Sequence, residues 1–251
     1  MKSNYFDQNY TVKVIPRSVA KSFIIENHYS QTYPAGCVNL GAYQGHDLIG
    51  VIVYGMSCQA QMASSVVQIL GQWDYYELQR LYVKDCTRTD FESWFIGKSI
   101  NWLKENKPDI VMLVSFADPW YGHNGTVYQA TNWIFTGANN GANVYIDKDG
   151  KVIHARTIAK GKVDKDKLCK EWRPGKYRYV KFLKKSINVY RHAETGEIIR
   201  TDDLSKWLTK EREDRAIYIA KDHNDYLRKY KYNLEKNLKH EIKDYPKIDK
   251  K

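Results

Sequence analysis

The chain has 251 residues, 43% of them hydrophobic, and a formal net charge of +11. That length holds one large core or a domain with an appendage. No apolar run approaches the roughly 18 residues that a membrane span needs, the longest being Leu48–Met56 and Ile110–Ala117. The opening MKSNYFDQNY has no apolar signal core. The four cysteines, Cys37, Cys58, Cys86 and Cys169, form no C-x-x-C pair. This argues against a disulfide frame or a thiolate zinc site and fits a reducing cytoplasm. Residues 1–150 carry 11 Lys+Arg against 13 Asp+Glu, a balance of −2, and residues 151–251 carry 29 against 16, a balance of +13. Tyrosines interleave the late charges in KYRYVKF (Lys176–Phe182) and YLRKYKY (Tyr226–Tyr232). A basic surface with interleaved aromatics is the footprint of a polyanion partner; a solvated, helix-rich tail has the same composition.

In chain order, Tyr10–Pro16 alternates like a strand and Ser18–Glu26 has helical spacing. Val38–Tyr43 and Leu48–Gly55 are apolar runs joined by Gln44-Gly45-His46-Asp47, a hairpin signal. Val66–Leu70 reads as a short strand or a loop, and Glu77–Val83 as a strand. Thr89-x-x-Glu92 is a capping box, predicting a helix through Asn106 with Phe95, Ile96, Ile100 and Leu103 on one face. Pro108 blocks its continuation. Ile110–Phe116 is continuously apolar, as in a strand buried on both faces. Thr126-x-x-Gln129 is a second capping box, with Trp133 inside the predicted helix and Gly137 at its end. Val144–Ile146 and Val152–Ala155 flank another hairpin turn, Asp147–Gly150. Asn188–Leu208 suggests a hairpin and a helix, and the chain from Ala216 a helix and a charged tail.

This order predicts an α/β fold, a mixed sheet with helices on both faces. In such sheets ligands gather at the carboxyl ends of strands. Asp118 stands at one such end and opens the strand-to-helix loop Asp118–Gly125 (DPWYGHNG). Asp118-Pro119-Trp120-Tyr121 resembles the Asp-Pro-Pro-Tyr motif of amino-methylating DNA methyltransferases. There a carboxylate accepts a hydrogen bond from the exocyclic amine of a flipped base and the aromatic stacks on it. A turn-forming Asp-Pro followed by a surface aromatic accounts for the same four residues, and no Gly-rich cofactor loop precedes this strand.

A longer pattern is more specific. ELQRLYV, ESWFIGKSINWL, SFADPWYGHNGTVYQATNWIFTG and WRPGKYRYV together resemble the Mom family of phage DNA-adenine modification proteins. The resemblance runs from about Glu26 to Phe182 and is strongest over Glu77–Gly137. It implies a fold similar to the GNAT acyltransferases. It also implies conversion of adenine's exocyclic amine to a carbamoylmethylamino group, which protects phage DNA from restriction nucleases in the cytoplasm of the infected host. The pair His28-Tyr29 matches a family feature that works with the Asp of the Asp-Pro strand end. By that resemblance His28, Tyr29 and Asp118 hold an iron ion, for which imidazole, phenolate and carboxylate are suitable donors. His123, between Gly122 and Gly125, competes as a ligand or as a general base.

Arg80 is carried into the active cleft by the same resemblance. Along a regular strand Glu77, Gln79, Leu81 and Val83 share one face and Leu78, Arg80 and Tyr82 the other, so Glu77 is not expected beside Arg80. An internal ion pair with another carboxylate is the alternative for Arg80. GNAT enzymes cradle acyl-CoA with Arg/Gln-x-x-Gly-x-Gly/Ala before a helix. The corresponding span Thr87–Gly97 has a single glycine, inside the helix, and carries Asp90 and Glu92, which speaks against acyl-CoA. The donor of the added group is not identified by the sequence.

The expected partner is double-stranded DNA with a flipped adenine. Trp120, Tyr121 and Tyr128 are candidates to stack on the base, and Asn132 to bond its edge. Lys176, Arg178 and Lys181 are candidates for backbone phosphates. Asp118 is expected to serve the chemistry while contributing little to folding. The division predicted is a GNAT-like catalytic domain over 1–187 and a basic helical extension over 188–251 that contacts DNA or another partner. Two rival readings are a GNAT-type N-acyltransferase acting on a protein or small-molecule amine, and a DNA-binding protein without catalysis.

Overall fold

The computed structural model describes residues 5–85, 87–150, 152–153, 155–192, 196–200, 227–239 and 243–246. Its centre is a seven-stranded mixed sheet in the order β1-β2-β3-β4-β5-β10-β6. The strands are β1 (Thr11–Val14), β2 (Gly36–Gln44), β3 (Asp47–Gly55), β4 (Tyr75–Val83), β5 (Met112–Ala117), β6 (Ile134–Ala138) and β10 (Tyr177–Phe182). Every neighbouring pair is antiparallel except β4 and β5.

Helices cover both faces. On one side α1 (Tyr5–Asn9), α4 (Phe91–Asn106) and α5 (Thr126–Ala130) pack against the sheet, burying Phe6, Phe91, Phe95, Ile96, Ile100, Leu103 and Tyr128 with Leu40, Ile52, Leu78, Leu113 and Tyr179. The four residues predicted for the inner face of α4 are all buried there. On the other side α2 (Arg17–Asn27) buries Ala20, Phe23 and Ile24 against Val51 and Val53, and α3 (Met62–Val66) packs on Met112, Val114 and Val180. β5 therefore presents apolar side chains to both layers, as its continuous run requires.

Several boundaries differ from expectation. Residues 66–70 end α3 and continue as a loop. The helix α4 begins at Phe91 with Asp90 as N-cap and no side-chain cap, so the Thr89–Glu92 box is not made. α5 is a single turn, ending where Asn132 takes a left-handed φ of 57°. The chain then enters β6, so Trp133 sits between elements and Gly137 lies within a strand. Trp133-Ile134-Phe135 favour extended backbone, and tertiary pairing with β10 overrides the helical spacing.

Between β6 and β10 the chain makes a separate three-stranded sheet from β7 (Ala142–Ile146), β8 (Val152–Ile153) and β9 (Cys169–Arg173), with α6 (Ala155–Ala159) on the way. The predicted boundary at 187/188 falls inside β11 (Ser186–His192). β11 pairs with β12 (Ile198–Ile199) and β13 (Leu227–Asn233). Val189, Tyr232 and Leu234 are buried in one cluster with Val111, Met112 and Val180 of the main domain. The extension thus shares the main core, and Leu227–Asn233 is a strand where a helix was expected. In sequence, Lys229 and Lys231 alternate with Tyr230 and Tyr232, a two-residue period. Residues 201–226, where the other helices were expected, lie outside the described residues. No described helix is long and apolar enough to cross a membrane.

Candidate active site

β4 and β5 pair in parallel only over Tyr75–Glu77 and Met112–Val114, then part. Ser115 fills the first gap between them. Its hydroxyl donates to Leu78 O at 3.0 Å and lies 2.8 Å from the Tyr128 hydroxyl, from which it accepts. A β-bulge marks β4 at the same level: Val53 faces Arg80 and Tyr54 faces Leu78, leaving Gln79 unmatched. The extra residue reverses the alternation, so Glu77 and Arg80 share the α2 face, contrary to the regular-strand expectation. Gln79 is held there by donating to Met56 O at 3.0 Å.

Arg80 organises the loop after α2. Its guanidinium donates to Thr32 O at 3.0 Å, Thr32 Oγ1 at 2.8 Å and Gln79 O at 2.6 Å. That loop carries His28 and Tyr29. His28 is 7% exposed, and its Nδ1 accepts the Ser30 N–H at 3.1 Å with the Ser30 hydroxyl at 2.9 Å. This network assigns the ring proton to Nε2. Burial, then the charges of Arg80 and His123, lower the His28 pKa to about 4, so the ring is neutral at physiological pH.

An aromatic stack continues outward. Tyr29 lies with its ring centroid 4.3 Å from His28, 4.5 Å from Tyr121 and 5.2 Å from His123, and the Arg173 guanidinium stands 5.4 Å from the Tyr121 ring. Tyr29 and Tyr121 are nearly half exposed, so the stack opens to solvent. Burial first, then the nearby Asp118 charge, raise the Tyr29 phenol above its ordinary value.

Asp118 sits at the floor, 2% exposed. It caps the 3-10 turn Pro119–Tyr121 by accepting the Trp120 N–H at 3.2 Å, and its carbonyl accepts the N–H groups of Tyr121 and His123 at 3.1 Å each. Its other carboxylate oxygen accepts from Arg173 Nη2 and lies 3.2 Å from Lys176 Nζ. Both cations come from the Arg173-Pro174-Gly175-Lys176 turn between β9 and β10. A Cβ on Gly175 would collide with the Asn139 carbonyl, so only glycine allows this approach. Arg173 Nε is buried without a hydrogen-bond partner, which leaves one donor spare at the site. Glu77 lies near Lys176 and Arg80, and burial raises its carboxyl above the ordinary value.

The structure therefore gathers His28, Tyr29, Arg80, Asp118, Tyr121 and His123, with half-buried Trp120 in the capped turn. Two expectations do not hold. Tyr128 is buried against Trp133 and Tyr179 with its hydroxyl on Ser115, so its ring is core and not a stacking surface. Lys181 donates to the carbonyls of Thr131 and Asn132 at 3.0 Å each, closing the end of α5. Arg178 lies on the other face of β10 from Lys181, the face that Phe116 and Val180 share, and Lys176 is held by Asp118. Asn132 serves the chain reversal after α5. Arg173 and Glu77 were not singled out from sequence. Pro174-Gly175 immediately before a strand is the signal for Arg173; the bulge that places Glu77 has no local signature.

The donors assigned to iron do not form a coordination sphere as they stand. Asp118 pairs with Arg173 and Lys176, and His28 Nδ1 accepts from Ser30.

Over 192 residues the chain is 28% identical to the methylcarbamoylase Mom of Escherichia phage Mu, covering 72% of this chain and 78% of that protein. In form it is similar to the ribosomal-protein-S18-alanine N-acetyltransferase from Escherichia coli, at 10% identity and a TM-score of 0.42 over 69% of this chain and 94% of that one. It is also similar to an IAA acetyltransferase from Bacillus cereus, at 12% identity and a TM-score of 0.42 over 69% of this chain and 99% of that one. The model of the Mom protein family matches residues 9–197, most of the 251-residue chain, and the protein belongs to that family.

Proposed function

We propose that the protein is a DNA-modifying enzyme that attaches a carbamoylmethyl group to the exocyclic amine of adenine, protecting phage DNA from restriction. The observation that carries this reading is the family match over residues 9–197, which includes every residue of the site described above. The relative from phage Mu bears the name methylcarbamoylase. The chemistry of the cleft is compatible with it.

Adenine's amino nitrogen is a poor nucleophile, because its lone pair is delocalised into the ring. It has to be lifted from the duplex stack, oriented and relieved of a proton. Tyr29, Tyr121 and His123 offer an open aromatic surface beside a buried carboxylate, the combination that holds a flipped base by its face and its amine. Asp118 orients the amine by accepting one of its N–H bonds. Glu77, with its raised carboxyl pKa, is suited to take the second proton as the new N–C bond forms. Arg80, Arg173 and Lys176 supply positive charge for the anionic group that leaves the donor.

Plasmid DNA from cells expressing the protein tests this reading. It should resist restriction nucleases whose sites contain adenine, while DNA from cells expressing Asp118→Asn is cut. Equal cutting of both would remove the reading.

A further inference from the structure

A cleft of about 770 Å³ lies beside the active site, on the same face of the sheet. Its walls are α3 on one side and the ends of β5, β6 and β10 on the other, with Ser65, Thr136, Arg178 and Lys243 among its polar groups. Among the described residues no carboxylate lines it. Arg178 is the central feature. Its guanidinium is half-buried and oriented by two neutral hydroxyls, donating from Nε to Thr136 Oγ1 at 2.8 Å and from Nη1 to Ser65 Oγ at 3.2 Å. Burial lowers its pKa. A guanidinium held in a pocket by hydroxyls, with no anion paired to it among the described residues, is suited to take one from outside.

The end of the chain supplies the second charge. Lys243 N–H donates to Phe135 O at 3.3 Å, which ties the terminal segment to β6. Its ammonium lies over Gly137, where a Cβ would stand 3.4 Å from it. Tyr245 anchors the same segment by donating to Trp133 O at 2.8 Å.

We infer that Arg178 and Lys243 form a phosphodiester-binding subsite that holds the DNA backbone at the nucleotide being modified. This rests on the adenine reading above for its occupant. Arg178 pairs with Phe116, two residues before Asp118, and stands two residues from Lys176, which contacts Asp118. At a strand rise of ~3.3 Å per residue, the two sites are about 7 Å apart along the sheet. A nucleotide with its amine at Asp118 can place its own phosphate in this cleft, with Arg178 as a bidentate partner.

The test is anisotropy of a labelled adenine-containing duplex against the full chain over a range of salt concentrations. Arg178→Gln and Lys243→Gln should each weaken binding by about tenfold and flatten the log–log salt slope by about 0.9. Lys243 is exposed, so its variant keeps the test valid should Arg178→Gln fail to fold. Slopes and affinities equal to wild type in a folded Arg178→Gln and in Lys243→Gln would overturn the inference. Calorimetry with inorganic pyrophosphate distinguishes the other source of such an anion. Pyrophosphate binding that Arg178→Gln abolishes, with an unchanged DNA slope, would assign the cleft to a phosphate-bearing small molecule and overturn the DNA assignment. The readout is binding, so it separates from the adenine reading. Flattened slopes with no modified adenine would leave the subsite standing and remove the chemistry; modified adenine with unchanged slopes would do the reverse.

Discussion

Arg173 donates to the Asp118 carboxylate from 55 residues further along the chain. The contact closes the site, because β10 runs antiparallel to β5 and the turn before it arrives where β5 ends. It also gives Asp118 a structural duty that its place at a strand end does not reveal.

Asp118→Asn should therefore do two things. It removes the charge that Arg173 and Lys176 surround while leaving the cap on Trp120 available. Arg173 is largely buried and Lys176 is 42% exposed at its side chain, so solvent screens part of the loss. A destabilisation of about 1–3 kcal/mol is expected, together with loss of modification by about a hundredfold or more. Thermal melts paired with nucleoside analysis read both. A melting temperature equal to wild type would show the ion pair to be idle.

Iron held as the family resemblance implies would draw on the same Asp118 carboxylate that Arg173 occupies. Arg173→Ala frees the Asp118 oxygen, so this variant should bind ferrous iron more tightly than wild type in anaerobic titration. Equal affinity in the two proteins would show that the ion pair does not oppose metal binding.

Glu77 sets the expected pH response. Burial raises its carboxyl above the ordinary value of 4.5. The folded state then holds the proton more tightly than the unfolded chain. Glu77 costs stability as pH rises from its unfolded pKa through its folded one, and Glu77→Gln removes that cost. Activity requires the deprotonated form, so the acid limb of kcat/KM should lie above the ordinary glutamate range. In Glu77→Gln the rate should fall and that limb should disappear. A limb that persists unchanged would remove Glu77 as proton acceptor.

A fragment ending at residue 187 should not fold stably. It lacks Val189, Tyr232 and Leu234, all buried against Val111, Met112 and Val180. Loss of Tyr232 and Leu234 alone is expected to cost about 3 kcal/mol or more. Circular dichroism melts of the fragment and the full chain measure this; equal stability would make the extension a separate unit after all.

The legible parts of this protein are those whose signal is local. The apolar face of α4, the buried run of β5 and the β2–β3 hairpin were all readable, because one helix face, one strand or one turn carries the whole pattern. The site was legible where the chain is continuous, from Asp118 to His123. What escaped depends on pairing partners. The bulge at Gln79 exists because of how β4 lies on β3, and it moves Glu77 to the face of Arg80. Lys181 reads as a free cation in KYRYVKF, yet tertiary packing brings it to the carbonyls after α5. Tyr128 reads as an aromatic free to stack on a base, yet its ring packs into the core against Trp133 and Tyr179. Arg173 was hidden by its distance from Asp118 in sequence.

The most direct test of the account is mass spectrometry of nucleosides from the DNA of cells expressing the full chain, beside cells expressing a folded Asp118→Asn. The account predicts an adenosine heavier by one carbamoylmethyl group with the wild-type protein and its near absence with the variant. Unmodified adenosine alone, from soluble wild-type protein in a host that supports the modification, would contradict it.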